Sequence, residues 1–85
     1  GRAMRDFHFQ LRTPAGLQSA AITICCEGPE IAFMEACRII PGIAGEMLRD
    51  GLDPMSCEFI IRNAKGEEMF TVPFSELIRP ARARH

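Results

Sequence analysis

The spacing of apolar residues changes twice along this chain, and that change limits what the chain can fold into. Phe7, Phe9 and Leu11 alternate with His8, Gln10 and Arg12. Further on, Phe33, Cys37, Ile40, Ala44 and Met47 recur at steps of four, three, four and three, with Leu48 beside them. Alternation then returns, with Cys57, Phe59 and Ile61 set against Glu58, Ile60 and Arg62. A period of two fits a half-buried strand, whereas steps of three and four place one apolar stripe along a helix. Strands on both sides of a single helix require a sheet that turns one face toward that helix.

The residues between these segments supply the turns. "TPAG" (residues 13–16) can reverse the first strand into "SAAITIC", a β-branched and apolar run that returns as its hairpin partner. "EGPE" opens the helix: Gly28 serves as the cap, Pro29 suits the first helical position, and Glu30 complements the positive end. Gly51 is placed to stop it. Pro41 lies inside the stripe and removes one helical hydrogen bond, so a kink or two abutting helical pieces are expected. "NAKG" then joins "SCEFIIR" to "EEMFTVPF" in a second hairpin, with Phe70, Val72 and Phe74 on one side and Gly66 suited to a left-handed backbone. The expected fold is α+β, in the order β-β-α-β-β, a four-stranded antiparallel sheet with one kinked or broken helix packed on one face. Pro73 has no N–H to give a ladder, so the last strand should be an edge or meet one near its end.

Eighty-five residues suit one small domain, expected over residues 5–78. Residues 1–4 read as a short cloning remnant and a natural start at Met4, and residues 79–85 as a flexible basic tail. The net charge is −1, yet Arg79, Arg82 and Arg84 follow the last acid. Without those three, seven basic residues face eleven acids, so the folded part is acidic and should repel nucleic acid or an anionic membrane. No apolar run approaches the roughly 18 residues of a membrane helix, and no signal peptide stands at the start, so cytoplasmic residence is expected. The four cysteines, Cys25, Cys26, Cys37 and Cys57, sit among aliphatic residues and are expected to be reduced and structural.

With "FHFQL" near the start and "FIIRNAKGEEMFTVPFSE" near the end, the chain resembles a family of short alphaproteobacterial domains of unknown function, of the kind found in rhizobia. Members of that family open with an aromatic strand and close with a hairpin ending in valine-proline-phenylalanine. Val72, Pro73 and Phe74 match that ending, and Gly66 lies in the preceding turn. The resemblance spans roughly residues 5 to 78. Gln10 stands where the family has a histidine, with His8 two residues earlier, and the family's alanine-rich helix here contains Pro41 and Gly42. The resemblance implies the fold and carries no biochemical role.

The chemistry of catalysis is thinly represented. His8 alternates away from the apolar face, and Glu58 or Arg12 are its candidate neighbours across the sheet. The vicinal Cys25 and Cys26 cannot both face one metal ion from a strand, and no Cys-x-x-Cys or His-x-x-x-His is present. No catalytic residue, metal or cofactor is expected, and the chain does not read as an enzyme. The expected function is a small non-enzymatic protein-interaction or regulatory module, self-associating as a homodimer through its sheet or binding another protein. Its candidate surface is the open sheet face bearing His8, Arg12, Glu58, Ile60 and Arg62. Strand addition at the edge away from Pro73 is a second route. The alternative is a weak nucleic-acid binder that uses Arg79, Arg82 and Arg84 with the exposed sheet face. It ranks second because three phosphate contacts bind weakly and the acidic body opposes them. A membrane partner is not expected.

Overall fold

The computed structural model describes residues 3–78 and, for residues 19–21, the backbone. Strands β1 (Arg5–Thr13) and β2 (Gly16–Cys26) form the first hairpin, and helix α1 (Pro29–Arg49) follows. A 3-10 turn at Pro54–Ser56 leads into β3 (Glu58–Arg62) and β4 (Glu68–Pro73), and a last 3-10 turn covers Phe74–Glu76. The α+β order expected from the spacing is therefore the observed one. The four strands form one antiparallel sheet in the order β2-β1-β3-β4, so the two hairpins join through their first strands. That junction pairs His8 with Arg62, Gln10 with Ile60 and Arg12 with Glu58.

β4 is an edge, as Pro73 requires. The Phe74 N–H donates to the Cys57 carbonyl at 3.0 Å, so residue 74 points its backbone groups at β3. Backbone groups alternate sides along a strand, so the preceding residue, Pro73, turns its nitrogen outward, where no ladder needs a donor. The 63–66 turn closes as its sequence suggests, with the Gly66 N–H donating to the Asn63 carbonyl at 2.9 Å and Gly66 at φ +84°.

α1 begins at Gly28, which caps without a side-chain bond, with Pro29 in the first turn and Glu30 beside it. It ends in a Schellman motif: Leu52 N–H donates to the Met47 carbonyl at 2.8 Å and Gly51 N–H to the Leu48 carbonyl at 3.1 Å. Gly51 makes this possible by adopting φ +80°. The helix runs through Pro41 as one element, not as two pieces. Pro41 is exposed, so the carbonyl left without its bond faces water and not the sheet.

Ile40, Ala44 and Met47 of the expected stripe are buried, but the first half of the helix is turned by one residue from it. Ala32, Ala36, Ile40, Ala44 and Met47 are its buried residues, whereas Phe33 is 38% and Leu48 62% exposed. The reason is volume. The sheet face beneath already carries Phe7, Phe9 and Phe59, with Phe74 just beyond β4, all essentially buried. Phe59 lies 5.8 Å from Phe9 and 5.2 Å from Phe74, centroid to centroid. Alanines let the helix approach those rings closely, and a phenylalanine on the central line would overfill the space. Phe33 instead stands at the flank against Phe70, 5.3 Å away.

Candidate interaction surface: the open sheet face and the β2 edge

The sheet face opposite the helix holds the five residues expected to form a surface, and the pairing brings them together. Arg12 Nε donates to Glu58 Oε2 at 2.6 Å, and a second guanidinium nitrogen also contacts that oxygen. Arg62 donates to Gln10 Oε1 at 3.4 Å and to the Gly66 carbonyl at 3.2 Å. Gln10 in turn donates to the Gln18 carbonyl at 2.9 Å. His8 does not meet Glu58 or Arg12. Its direct neighbours are Thr23 and Arg62, and its Nδ1 shares a 3.0 Å hydrogen bond with Thr23 Oγ1.

Ile60 needs a correction. It lies on this face, but only 1% of it is exposed, and it is not part of the cluster under the helix. Its cross-strand partners are Gln10 and Thr71, with Arg12, Glu58 and Arg62 at the neighbouring positions. Stems of long polar side chains cover apolar surface well. The centre of the open face is therefore polar and mostly hydrogen-bonded within itself, with the exposed Leu17 opposite Arg12 at its β2 side.

The free edge of β2 is different. β3 residues 57, 59 and 61 turn their backbone groups toward β4, in step with the Phe74–Cys57 bond, so Glu58, Ile60 and Arg62 turn theirs toward β1. Their partners His8, Gln10 and Arg12 face β3, which leaves Arg5, Phe7 and Phe9 facing β2. Their partners Cys26, Ile24 and Ile22 thus bond inward, and residues 21, 23 and 25 present backbone N–H and C=O groups at the free edge. No charged residue and no proline lies between Leu17 and Cys26. Ile22 is 40% exposed beside this edge. The sequence held the signal, an uncharged stretch from Thr13 to Cys26, but its meaning depends on a strand order that spacing does not give.

The cysteines are all free thiols. Cys25 is exposed and directly opposite Asp6. Desolvation, the Asp6 charge and a hydrogen bond to Asp6 all push its thiol up from the ordinary value. Burial, followed by the charge of Asp53, pushes Cys57 up as well. A raised thiol stays protonated at neutral pH and gains nucleophilicity only as pH climbs past the usual thiol range. Native Cys25 should therefore react with iodoacetamide more slowly than free cysteine at pH 7, and Asp6→Asn should speed it. Equal rates in the two proteins, read by intact mass against time, would remove Asp6 from this account.

A cleft of about 580 Å³ opens between the start of β1, the start of α1 and the 63–65 turn, lined by Met4, Phe7, Pro29 and Met69 together with Arg5 and Lys65. Among the described residues no histidine, cysteine or hydroxyl side chain lines it. No set of three or more metal-ligating side chains is clustered among them either, and no helix is long and apolar enough to cross a membrane. Arg79, Arg82 and Arg84 lie outside the described residues.

No curated protein and no solved structure matches the chain. A family model does, over residues 6–75, from the first strand to the turn after Pro73. The chain belongs to the family described as Domain of unknown function (DUF6894).

Proposed function

We propose that this domain is a small non-enzymatic, cytoplasmic interaction module that associates through its sheet, at the edge formed by β2. One observation carries the reading: the two edges of the sheet are built differently. β4 bears Pro73 and Glu68, both of which discourage pairing, whereas β2 spans Gly16–Cys26 with neither charge nor proline. Long, uncharged edges invite another strand, and proteins otherwise blunt them. The open face supports the same assignment by contrast. Its guanidinium Arg12 is engaged by Glu58 and its central apolar residue, Ile60, is covered, which leaves Leu17, opposite Arg12 on β2, as an exposed apolar residue there. The hydrogen bond of His8 goes to a threonine hydroxyl and its cross-strand neighbour on β3 is an arginine, neither of which orients it as a base.

Light scattering coupled to size exclusion tests the reading. The expected molar mass is about twice the 9.5 kDa of the chain. Detection must be by refractive index, because the chain has no Trp and no Tyr. A monomer across the full accessible concentration range would overturn self-association.

A further inference from the structure

The geometry points to the occupant of the β2 edge and to its register: a second copy of β2, antiparallel, about a two-fold axis at Thr23. This rests on the reading above and adds to it. Of the four strands, β1 carries Arg5, Asp6 and Arg12, β3 carries Glu58 and Arg62, and β4 carries Glu68. Only β2 is free of charge. A strand laid against Ile22 and Ile24 loses water from its own inward groups, which costs several kcal/mol for an unpaired ion. The strand that matches this edge in polarity is β2 itself. A two-fold axis normal to the sheet pairs it with its own copy and keeps both helices on one face.

The register follows from which backbone groups face outward. An antiparallel pair alternates hydrogen-bonded and non-bonded partners, and residues directly opposite share a face. Residues 21, 23 and 25 must occupy the bonded positions because theirs are the free groups. The irregularity between Gln10 and Arg12 disturbs β2 below residue 21, so the regular part available is 21–26. Every two-fold register centred on a residue satisfies these conditions, and those centred on Ile22, Thr23 or Ile24 set isoleucine against isoleucine. The centres at Ile22 and Ile24 each give one Ile–Ile contact. The centre at Thr23 gives two, Ile22 against the partner's Ile24 and the reverse, both in non-bonded positions where side chains lie closest. Each such β-branched pair contributes roughly 0.2–1 kcal/mol. Thr23 then meets its own copy, and position 21 meets the partner's Cys25.

That last pairing supplies the test. Opposed bonded positions have Cα atoms about 5.5 Å apart, within disulfide range. Positions 21 and 25 of one strand are about 13 Å apart, so they cannot bridge within a chain. Ala21→Cys, mildly oxidised near pH 8.5, is expected to give a covalent dimer linked between residue 21 of one chain and Cys25 of the other, as read by peptide mapping. Adding Cys25→Ser should abolish it. If light scattering shows a dimer but the link is 21 to 21, 25 to 25, or absent, the register is wrong while the interaction module stands. If no dimer forms at any concentration, both readings fall.

Discussion

Thr23→Pro is expected to convert the proposed dimer to a monomer of about 9.5 kDa while leaving the circular dichroism spectrum of the fold in place. The expectation transfers to β2 what the chain already does on its other edge. Pro73 sits in β4 with its nitrogen turned away from β3, so the sheet loses no bond by having it. Thr23 has the same relation to the free edge, because Ile22 and Ile24 are the residues bonded to β1. A proline at 23 removes a donor that only a partner strand would use, and places its ring where that strand would lie. It also removes the Thr23 hydroxyl from His8, an exposed hydrogen bond of modest worth, about 1 kcal/mol or less. The matching control is Ile24→Pro, one residue along. There the lost N–H belongs to the β1–β2 ladder, and a part-buried side chain packed on the core goes with it. That variant is expected to unfold or nearly so. A Thr23→Pro protein that stays dimeric would move the interface off this edge.

The contrast between neighbouring residues shows what sequence spacing can and cannot supply. Period-two alternation identified the strands and the phenylalanine-bearing face, because burying one side of a strand leaves a pattern in its own residues. Pro73 identified an edge for the same local reason, and Gly51 marked the helix end through a backbone conformation that other residues rarely adopt. Which strand forms the second edge is not local. It depends on β1 and β3 pairing with each other, so that the first hairpin exposes β2, and nothing inside either hairpin declares that choice. Ile40, Ala44 and Met47 follow the expected stripe, and the first half of the helix departs from it on volume. Phe33 and Ala32 are both apolar and adjacent, so hydropathy fits either phase, and the choice falls to the rings already present on the sheet. Ile60 was misjudged because alternation assigns a face but not its cover, which here comes from Gln10, Thr71 and their neighbours on three other positions of the sheet. Alternation names five residues on the open face, whereas the free backbone groups at residues 21, 23 and 25 show in the sequence only as an uncharged stretch, Thr13 to Cys26.

Phe59→Ala is expected to cost about 3–5 kcal/mol, the usual range for removing a buried phenylalanine. Phe59 lies on the central strand β3, is 2% exposed, and touches rings on both sides, Phe9 on β1 and Phe74 beyond β4. Its removal leaves a cavity under the alanine line of α1, and Ala32, Ala36 and Ala44 have no side-chain length with which to fill it. A domain of this size holds roughly 4–13 kcal/mol in total, so the loss removes about a quarter of that stability at the high end and all of it at the low end. At about 4–8 °C per kcal/mol, its melting temperature should fall by more than 10 °C. Far-ultraviolet circular dichroism is the suitable probe, with each protein at one concentration because the proposed self-association would add to apparent stability. Phe33→Ala provides the comparison within the same experiment. Phe33 is on the helix, is 38% exposed, and makes one ring contact with Phe70. Its loss should cost about 1 kcal/mol, the scale of one partly exposed aromatic pair. The stripe suggested by hydropathy would place Phe33 at the centre of the core and make the two losses similar. A difference of several degrees in favour of Phe33→Ala therefore locates the helix by its alanines, and equal losses would rotate it back onto the phenylalanine.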